Sequence, residues 1–156
     1  MYNSFMSNKK YIRDGRAPIP EKEITSKIMS SVRAKNTKPE IMLRKALFYN
    51  GLRGYRLHWK KAPGRPDIAY PGKKIAIFVN GCYWHRCPHC KPSFPKTNIE
   101  FWTNKFEKNK ERDERKKKEL EDAGWKVFIF WECQIKKDVG ECFLSVKNYY
   151  LLHQAE

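Results

Sequence analysis

The stretch Asp67-Ile68-Ala69-Tyr70-Pro71-Gly72-Lys73-Lys74-Ile75-Ala76-Ile77-Phe78-Val79 decides the architecture. It reads as two strands joined at a turn set by Pro71-Gly72, because proline presets the backbone and glycine tolerates the reversal. The second arm is almost continuously apolar, as suits a central strand covered on both faces. Upstream, Tyr55-Arg56-Leu57-His58-Trp59 alternates polar and apolar residues and adds a third strand. Downstream, a long polar helix from about Ile99 to Ala123, stopped by Gly124, leads to Lys126-Val127-Phe128-Ile129-Phe130-Trp131, another buried-type strand. A helix between two apolar strands predicts a right-handed parallel crossover. Thr37-Lys38-Pro39-Glu40 opens an earlier helix with an N-cap, a first-turn proline and an acid at the third position. That helix runs from about Pro39 to Asn50, offers Ile41, Leu43, Ala46 and Leu47 for burial, and stops at Gly51. Residues 138 to 156 form a closing helix through Phe143, Val146, Tyr149 and Tyr150. The order is helix, three-strand meander, helix, strand, helix: a small α/β sandwich with a mixed central sheet flanked by helices.

The chain divides into residues 1–24, a basic extended arm carrying Lys9, Lys10, Arg13, Arg16, Pro18 and Pro20, and one folded domain over 25–156 that opens with a helix-like patch from Ser26 to Val32. Lys and Arg number 33 against 17 Asp and Glu, a net charge of +16 over 156 residues. With 40% apolar and 14% aromatic residues, the chain can bury a core that a disordered polycation could not. The expected partner is a polyanion, nucleic acid ahead of a membrane surface, since no basic amphipathic anchor is evident. No run approaches the roughly 20 apolar residues of a membrane span, and the first residues lack a secretory core. An intracellular, cytoplasmic protein is expected.

Cys82-x4-Cys87-x2-Cys90, with Cys133 after the last strand, has zinc-site spacing. Cys82 and Cys133 each follow a strand, so parallel neighbours would bring them together. The bland alternative is that some are ordinary buried thiols. His89 is an alternative ligand, ranked below its neighbour Cys87, and Cys142 belongs to the core of the last helix.

Gly64-Arg65-Pro66-Asp67 puts a carboxylate at one end of the hairpin, where the Val79 carbonyl would face it. Oxygen donors of this kind suit a hard divalent ion such as magnesium, although an Asp beside proline also caps turns. His85, held in the cysteine loop, reads as a general base or as a further zinc ligand. The apolar stripe of the long helix passes from Trp102 and Phe106 through Asn109 and Asp113 to Leu120. An inward Asp113 could accept the His85 ring N–H and fix its tautomer, or both polar residues are solvated. Glu40 completes a capping box with Thr37, which explains it without chemistry.

These residues resemble the very short patch repair (Vsr) endonuclease family from about Ser26 to Lys136. The resemblance is carried by Gly64-Arg65-Pro66-Asp67, Phe78-x-x-Gly81-Cys82-Tyr83-Trp84-His85, Glu100-Phe101-Trp102, Lys108-Asn109-x-x-Arg112-Asp113 and Trp131-Glu132-Cys133. It implies a restriction-endonuclease-like fold, one structural zinc, and magnesium-dependent nicking of double-stranded DNA 5′ of the thymine in a T:G mismatch. Such mismatches arise when 5-methylcytosine deaminates, so the resemblance also implies a link to a cytosine-5 DNA methyltransferase, to mismatch-repair proteins and to the bacterial nucleoid. A monomer is expected, because one asymmetric mismatch needs no two-fold partner.

Carried over by position, Asp67 is the metal-binding catalytic acid, His85 the general base, and Val79 a magnesium ligand through its main-chain carbonyl. Glu40, Asp113 and Asn109 complete the site. Zinc falls to Cys82, Cys87, Cys90 and Cys133; the best-known members carry His at the position of Cys87 and a second His at that of Asn80. Two magnesium ions would flank the scissile phosphate. Tyr83, Trp84 and Trp102 resemble the aromatic wedge inserted beside the mismatch, with Met29 joining from the other groove; packing in the core is the plain alternative for the aromatics. A restriction-type nuclease of the same fold with another target, and a catalytically silent zinc-containing DNA-binding module, are the competing functions.

Overall fold

The computed structural model describes residues 34–153. The basic arm, the patch from Ser26 to Val32 and Met29 lie outside the described residues. Helix α1 spans Lys38–Tyr49, strands β1, β2 and β3 span Arg56–Leu57, Ile68–Tyr70 and Ile75–Asn80, and the long helix α2 spans Ile99–Asp122. Strand β4 (Lys126–Trp131), a short helix α3 (Glu132–Lys137) and helix α4 (Val139–Leu152) complete the chain. The sheet order is β1-β2-β3-β4. The β1–β2 and β2–β3 pairs are antiparallel and β3–β4 is parallel, from Ile75 opposite Lys126 to Asn80 opposite Trp131. The mixed sheet and its topology follow the sequence expectation.

Alternation along β3 divides the interior into two layers. Ile75, Ile77 and Val79 join the larger core with Ile68 of β2, Phe130 of β4, and Leu43, Leu47, Ile135, Phe143 and Val146 from α1, α3 and α4. Ala76 and Phe78 face the opposite side, where Leu120 of α2 packs with Ala62, Trp59, Trp125 and Val127. β3 is thus covered on both faces, which is why it tolerates no polar residue before Asn80. Cys142 is buried in the larger core, as expected.

Several boundaries differ from the expectation for local reasons. The first strand shrinks to Arg56–Leu57, because His58 turns left-handed at φ +45 and ends the ladder. The Pro71-Gly72 reversal is a 3-10 turn over Pro71–Lys73 closed by left-handed Lys74. Ile41 of α1 is exposed rather than buried. The closing helix begins at Val139, where Asp138 Oδ1 accepts the Gly140 and Glu141 N–H groups at 2.8 and 3.2 Å. The preceding α3 carries Cys133, so this thiol sits on a helix that the sequence reading left out.

Candidate active site and metal centre

Asp67 leaves the fully buried Pro66 at the head of β2, and its Oδ2 accepts the Val79 N–H at 2.8 Å. The sequence expectation put the Val79 carbonyl opposite Asp67; the observed contact uses the N–H instead. In an antiparallel pair a residue's N–H and C=O project toward the same neighbour, so the carbonyl is directed to that side too. Glu40, only 3% exposed, serves its helix and the site together. Its Oε1 accepts the Thr37 hydroxyl at 3.0 Å, while Oε2 accepts the Asn36 N–H at 3.0 Å and the Arg44 guanidinium at 2.8 Å.

His58, which the sequence reading used only as a strand residue, lies between the two acids. Its Nε2 is 3.7 Å from Glu40 Oε2 and its Nδ1 3.6 Å from Asp67 Oδ1. Its own N–H donates to the Asp67 carbonyl at 3.1 Å, which anchors the left-handed backbone. One ligand atom each from Glu40, His58 and Asp67 falls within a mutual 4.8 Å. Burial pushes the Asp67 carboxyl above the usual carboxylate range; the Val79 N–H pulls it down and the Glu40 carboxylate pushes it up. A cation placed there would relieve both the burial and the repulsion.

His85 hydrogen-bonds through Nδ1 to Asp113 Oδ2 on α2, the pairing expected from the helix stripe. With Asp113 accepting the Nδ1 proton, Nε2 is left as the proton acceptor. Asn109, one turn earlier, does not meet the imidazole; its Nδ2 donates to the Trp84 carbonyl at 3.1 Å and braces the loop that carries His85. Glu40, Asp67, Val79, Asn80, His85 and Asp113 all line one cleft of about 660 Å³.

The four thiols of Cys82, Cys87, Cys90 and Cys133 have Sγ atoms within 4.8 Å of one another. Cys87 and Cys133 are 3.6 Å apart, far beyond a disulfide bond. Tetrahedral zinc with Zn–S near 2.3 Å sets sulfur atoms about 3.8 Å apart, so this donor set fits zinc. Burial acts to raise the Cys87 thiol but is outweighed by the Cys90 and His89 N–H groups, which hold it below the ordinary range. Cys82, desolvated among the other thiols, is pushed up although it accepts the Cys133 N–H at 3.3 Å. His89 is turned away, with Nε2 3.4 Å from the Gln134 amide and its ring beside Trp131.

Tyr83, Trp84 and Trp102 form one half-buried aromatic cluster with Phe106. Tyr83 stands edge-on to Trp84 at 5.2 Å and to Trp102 at 6.3 Å, and Lys105 lies 5.5 Å over the Trp102 ring. Trp84 also lines the cleft.

A family model described as DNA mismatch endonuclease Vsr matches residues 18–91. The type II nicking enzyme V.XorIIP of Xanthomonas oryzae pv. oryzae is 39% identical over 121 residues, covering 78% of this chain and 88% of the relative. The chain belongs to the Vsr family. The DNA mismatch endonuclease Vsr of Escherichia coli is 37% identical over 77% of this chain and 76% of its own length. The nicking enzyme V.NmeAIP of Neisseria meningitidis is 42% identical over 70% of this chain and 77% of its own. Vsr membership makes the chain a DNA endonuclease, and the mixed sheet with its flanking helices is consistent with a nuclease fold. Among the described residues of this Vsr chain, no helix is long and apolar enough to cross a membrane.

Proposed function

We propose that this endonuclease nicks double-stranded DNA on the 5′ side of the thymine in a T:G mismatch, by magnesium-dependent phosphodiester hydrolysis, and so initiates very short patch repair. The observation that carries this reading is the convergence of the His85–Asp113 pair and Asp67 in one cleft whose wall includes Trp84. Asp67 and the Val79 carbonyl would hold magnesium, with Glu40 and His58 beside them. Bound magnesium neutralises charge on the phosphate and on the attacking and leaving oxygens; two ions would divide that task.

His85 removes a proton from water through Nε2, and Asp113 holds the ring and stabilises the imidazolium that forms. Asn109 keeps the loop in place through the Trp84 carbonyl. Asn80 occupies the place of the second family histidine, so His85 alone carries the proton transfer. Cys82, Cys87, Cys90 and Cys133 would hold one structural zinc, whose task is to fix the loop on which His85 is presented.

Tyr83, Trp84 and Trp102 act as the wedge at the mismatch. A T:G wobble step is weakly stacked and costs less to open than a matched one. Three half-buried rings in mutual contact form a stiff blade rather than separate mobile side chains. The enzyme acts as a monomer on nucleoid DNA in the cytoplasm, in step with a cytosine-5 methyltransferase and the mismatch-repair proteins.

The test is a nicking assay on end-labelled duplexes carrying T:G, A:T or C:G at one position, in several flanking sequences, alongside Asp67→Ala. The expected result is a single nick 5′ of the mismatched thymine, absent with the variant. Cutting of both strands in matched DNA would assign a restriction-type target instead, and tight binding without cutting would leave a DNA-binding module.

A further inference from the structure

The inward stripe of α2 continues one turn beyond Asp113 to Lys116, before reaching the buried Leu120. In the sequence Lys116 belongs to a run of charges that would ordinarily be a solvated face. Its neighbours behave that way: Arg115, Lys117 and Lys118 pair with Glu119, Glu121 and Asp122 at 3.9, 3.8 and 3.4 Å, all at i,i+4 spacing. Lys116 differs. The residue four before it is Arg112 and the residue four after it is Leu120, so neither i,i+4 position offers an acid, and of the acids three residues away Glu119 pairs with Arg115 and Asp113 with His85. Asp113 is committed to His85, with Arg112 3.8 Å away. Among the described residues Lys116 makes no ion pair, yet it is half-buried and lines the same cleft as Asp67, His85 and Asp113.

Its seat is shaped for it. Gly64 is left-handed at φ +70, and a Cβ there would come within 2.8 Å of Lys116 Cβ and Cγ. Those atoms are close to the helix backbone and cannot swing away, so only glycine lets the loop lie on the lysine stem. The next residue, Arg65, is also left-handed at φ +50 and borders the cleft with Arg112. A lysine whose stem is packed and whose ammonium has no carboxylate partner is held in place to offer its charge to an external anion.

We propose that Lys116, seated on Gly64 and flanked by Arg65 and Arg112, forms a subsite for a DNA phosphodiester next to the scissile one. The subsite rests on the endonuclease reading above and names where the cleaved strand is gripped. Its cations lie in the same cleft as the carboxylates, and the captured phosphate fixes the register of the strand over His85.

The test uses the full zinc-loaded chain without magnesium, so that binding is read without cutting. Affinity for one duplex is measured across a salt series for wild type, Lys116→Met, Lys116→Arg and, as a control on the exposed face of the same helix, Lys110→Met. Lys116→Met keeps the packed stem and removes the charge; its circular dichroism and zinc content should match wild type. We expect about three- to tenfold weaker binding and a salt slope smaller by about one, with Lys116→Arg near wild type. Duplexes carrying one neutral methylphosphonate at successive positions then locate the contact. One position beside the scissile phosphate should weaken wild type and Lys110→Met while leaving Lys116→Met unaffected. If Lys116→Met keeps the wild-type slope and scan while wild type still nicks DNA with magnesium, the subsite is overturned and the endonuclease reading stands. A smaller slope with an unchanged scan also overturns it, reducing Lys116 to a share of the general field. A wild type that neither binds nor nicks any duplex overturns both.

Discussion

The two groups of side chains that could hold a metal are built in different ways. Glu40, His58 and Asp67 are held by the polypeptide itself: a helix cap, an adjacent guanidinium, a backbone N–H from β3 and a main-chain bond from His58 to Asp67. The cysteines meet through one another, with the Cys87–Cys133 contact at 3.6 Å, and through N–H groups of their own loop and helix, Cys133 onto Cys82 and Cys90 and His89 onto Cys87. Residues 81 to 97 contribute a single buried residue, Cys87, to the interior. The acidic cluster should therefore keep its geometry without any ion, whereas the cysteine loop, on the proposed reading, should depend on a bound zinc, and the placement of His85 on that loop.

Stripping zinc with a chelator, or making Cys133→Ala, is the strongest way to break this contrast. Loss of a structural zinc site should cost several kcal/mol, melt residues 81 to 97 and abolish nicking, while amides of β2, β3 and β4 stay protected. Hydrogen exchange on the zinc-free protein checks it.

Asp67→Asn probes the other side. Nicking should fall by about 10³-fold or more, yet the metal-free fold should gain stability, since burial and Glu40 both disfavour the carboxylate. The carboxyl is raised in the folded state, so between its ordinary value and the raised one the folded chain holds more protons. Wild-type metal-free stability should then fall as pH rises through that window and level off above it. In the asparagine variant that slope should vanish, as denaturant melts across the acid range would reveal.

Much of this division is legible in the sequence. The Pro71-Gly72 hairpin and the spacing of Asn109 and Asp113 from Phe106 bring Asp67, His85 and Asp113 to one end of the sheet, and the cysteine spacing gathers four thiols. His58 was missed because its place depends on a left-handed backbone that no alternation pattern signals. Lys116 was hidden inside a charge run, and only its position above Gly64 sets it apart. Helix α3 has one buried residue, Ile135, too weak a period to read. Glu40 caps its helix chiefly through Oε1 and turns Oε2 toward Arg44 and His58, so the cap alone does not account for its place in the cleft.

Smaller effects sharpen the comparison. Asp113→Asn should slow nicking by about 10²-fold with zinc retained, because the neutral amide no longer stabilises the imidazolium and can donate to Nδ1, which favours the wrong tautomer; single-turnover rates over a pH series would show the altered profile. Thr37→Ala should cost about 1 kcal/mol of stability and lower nicking only a few-fold, since Glu40 keeps its bonds to Asn36 and Arg44.

The most direct test of separate roles for the two sites is single-turnover cleavage of a T:G duplex by protein loaded with one equivalent of zinc, before and after magnesium is added. Wild type and Asp67→Ala are compared, and zinc content is measured in both. The account predicts no cutting with zinc alone, a nick 5′ of the thymine once magnesium is present, and no cutting by a variant that still holds its zinc. Cutting without magnesium, cutting by Asp67→Ala, or loss of zinc from that variant would contradict it.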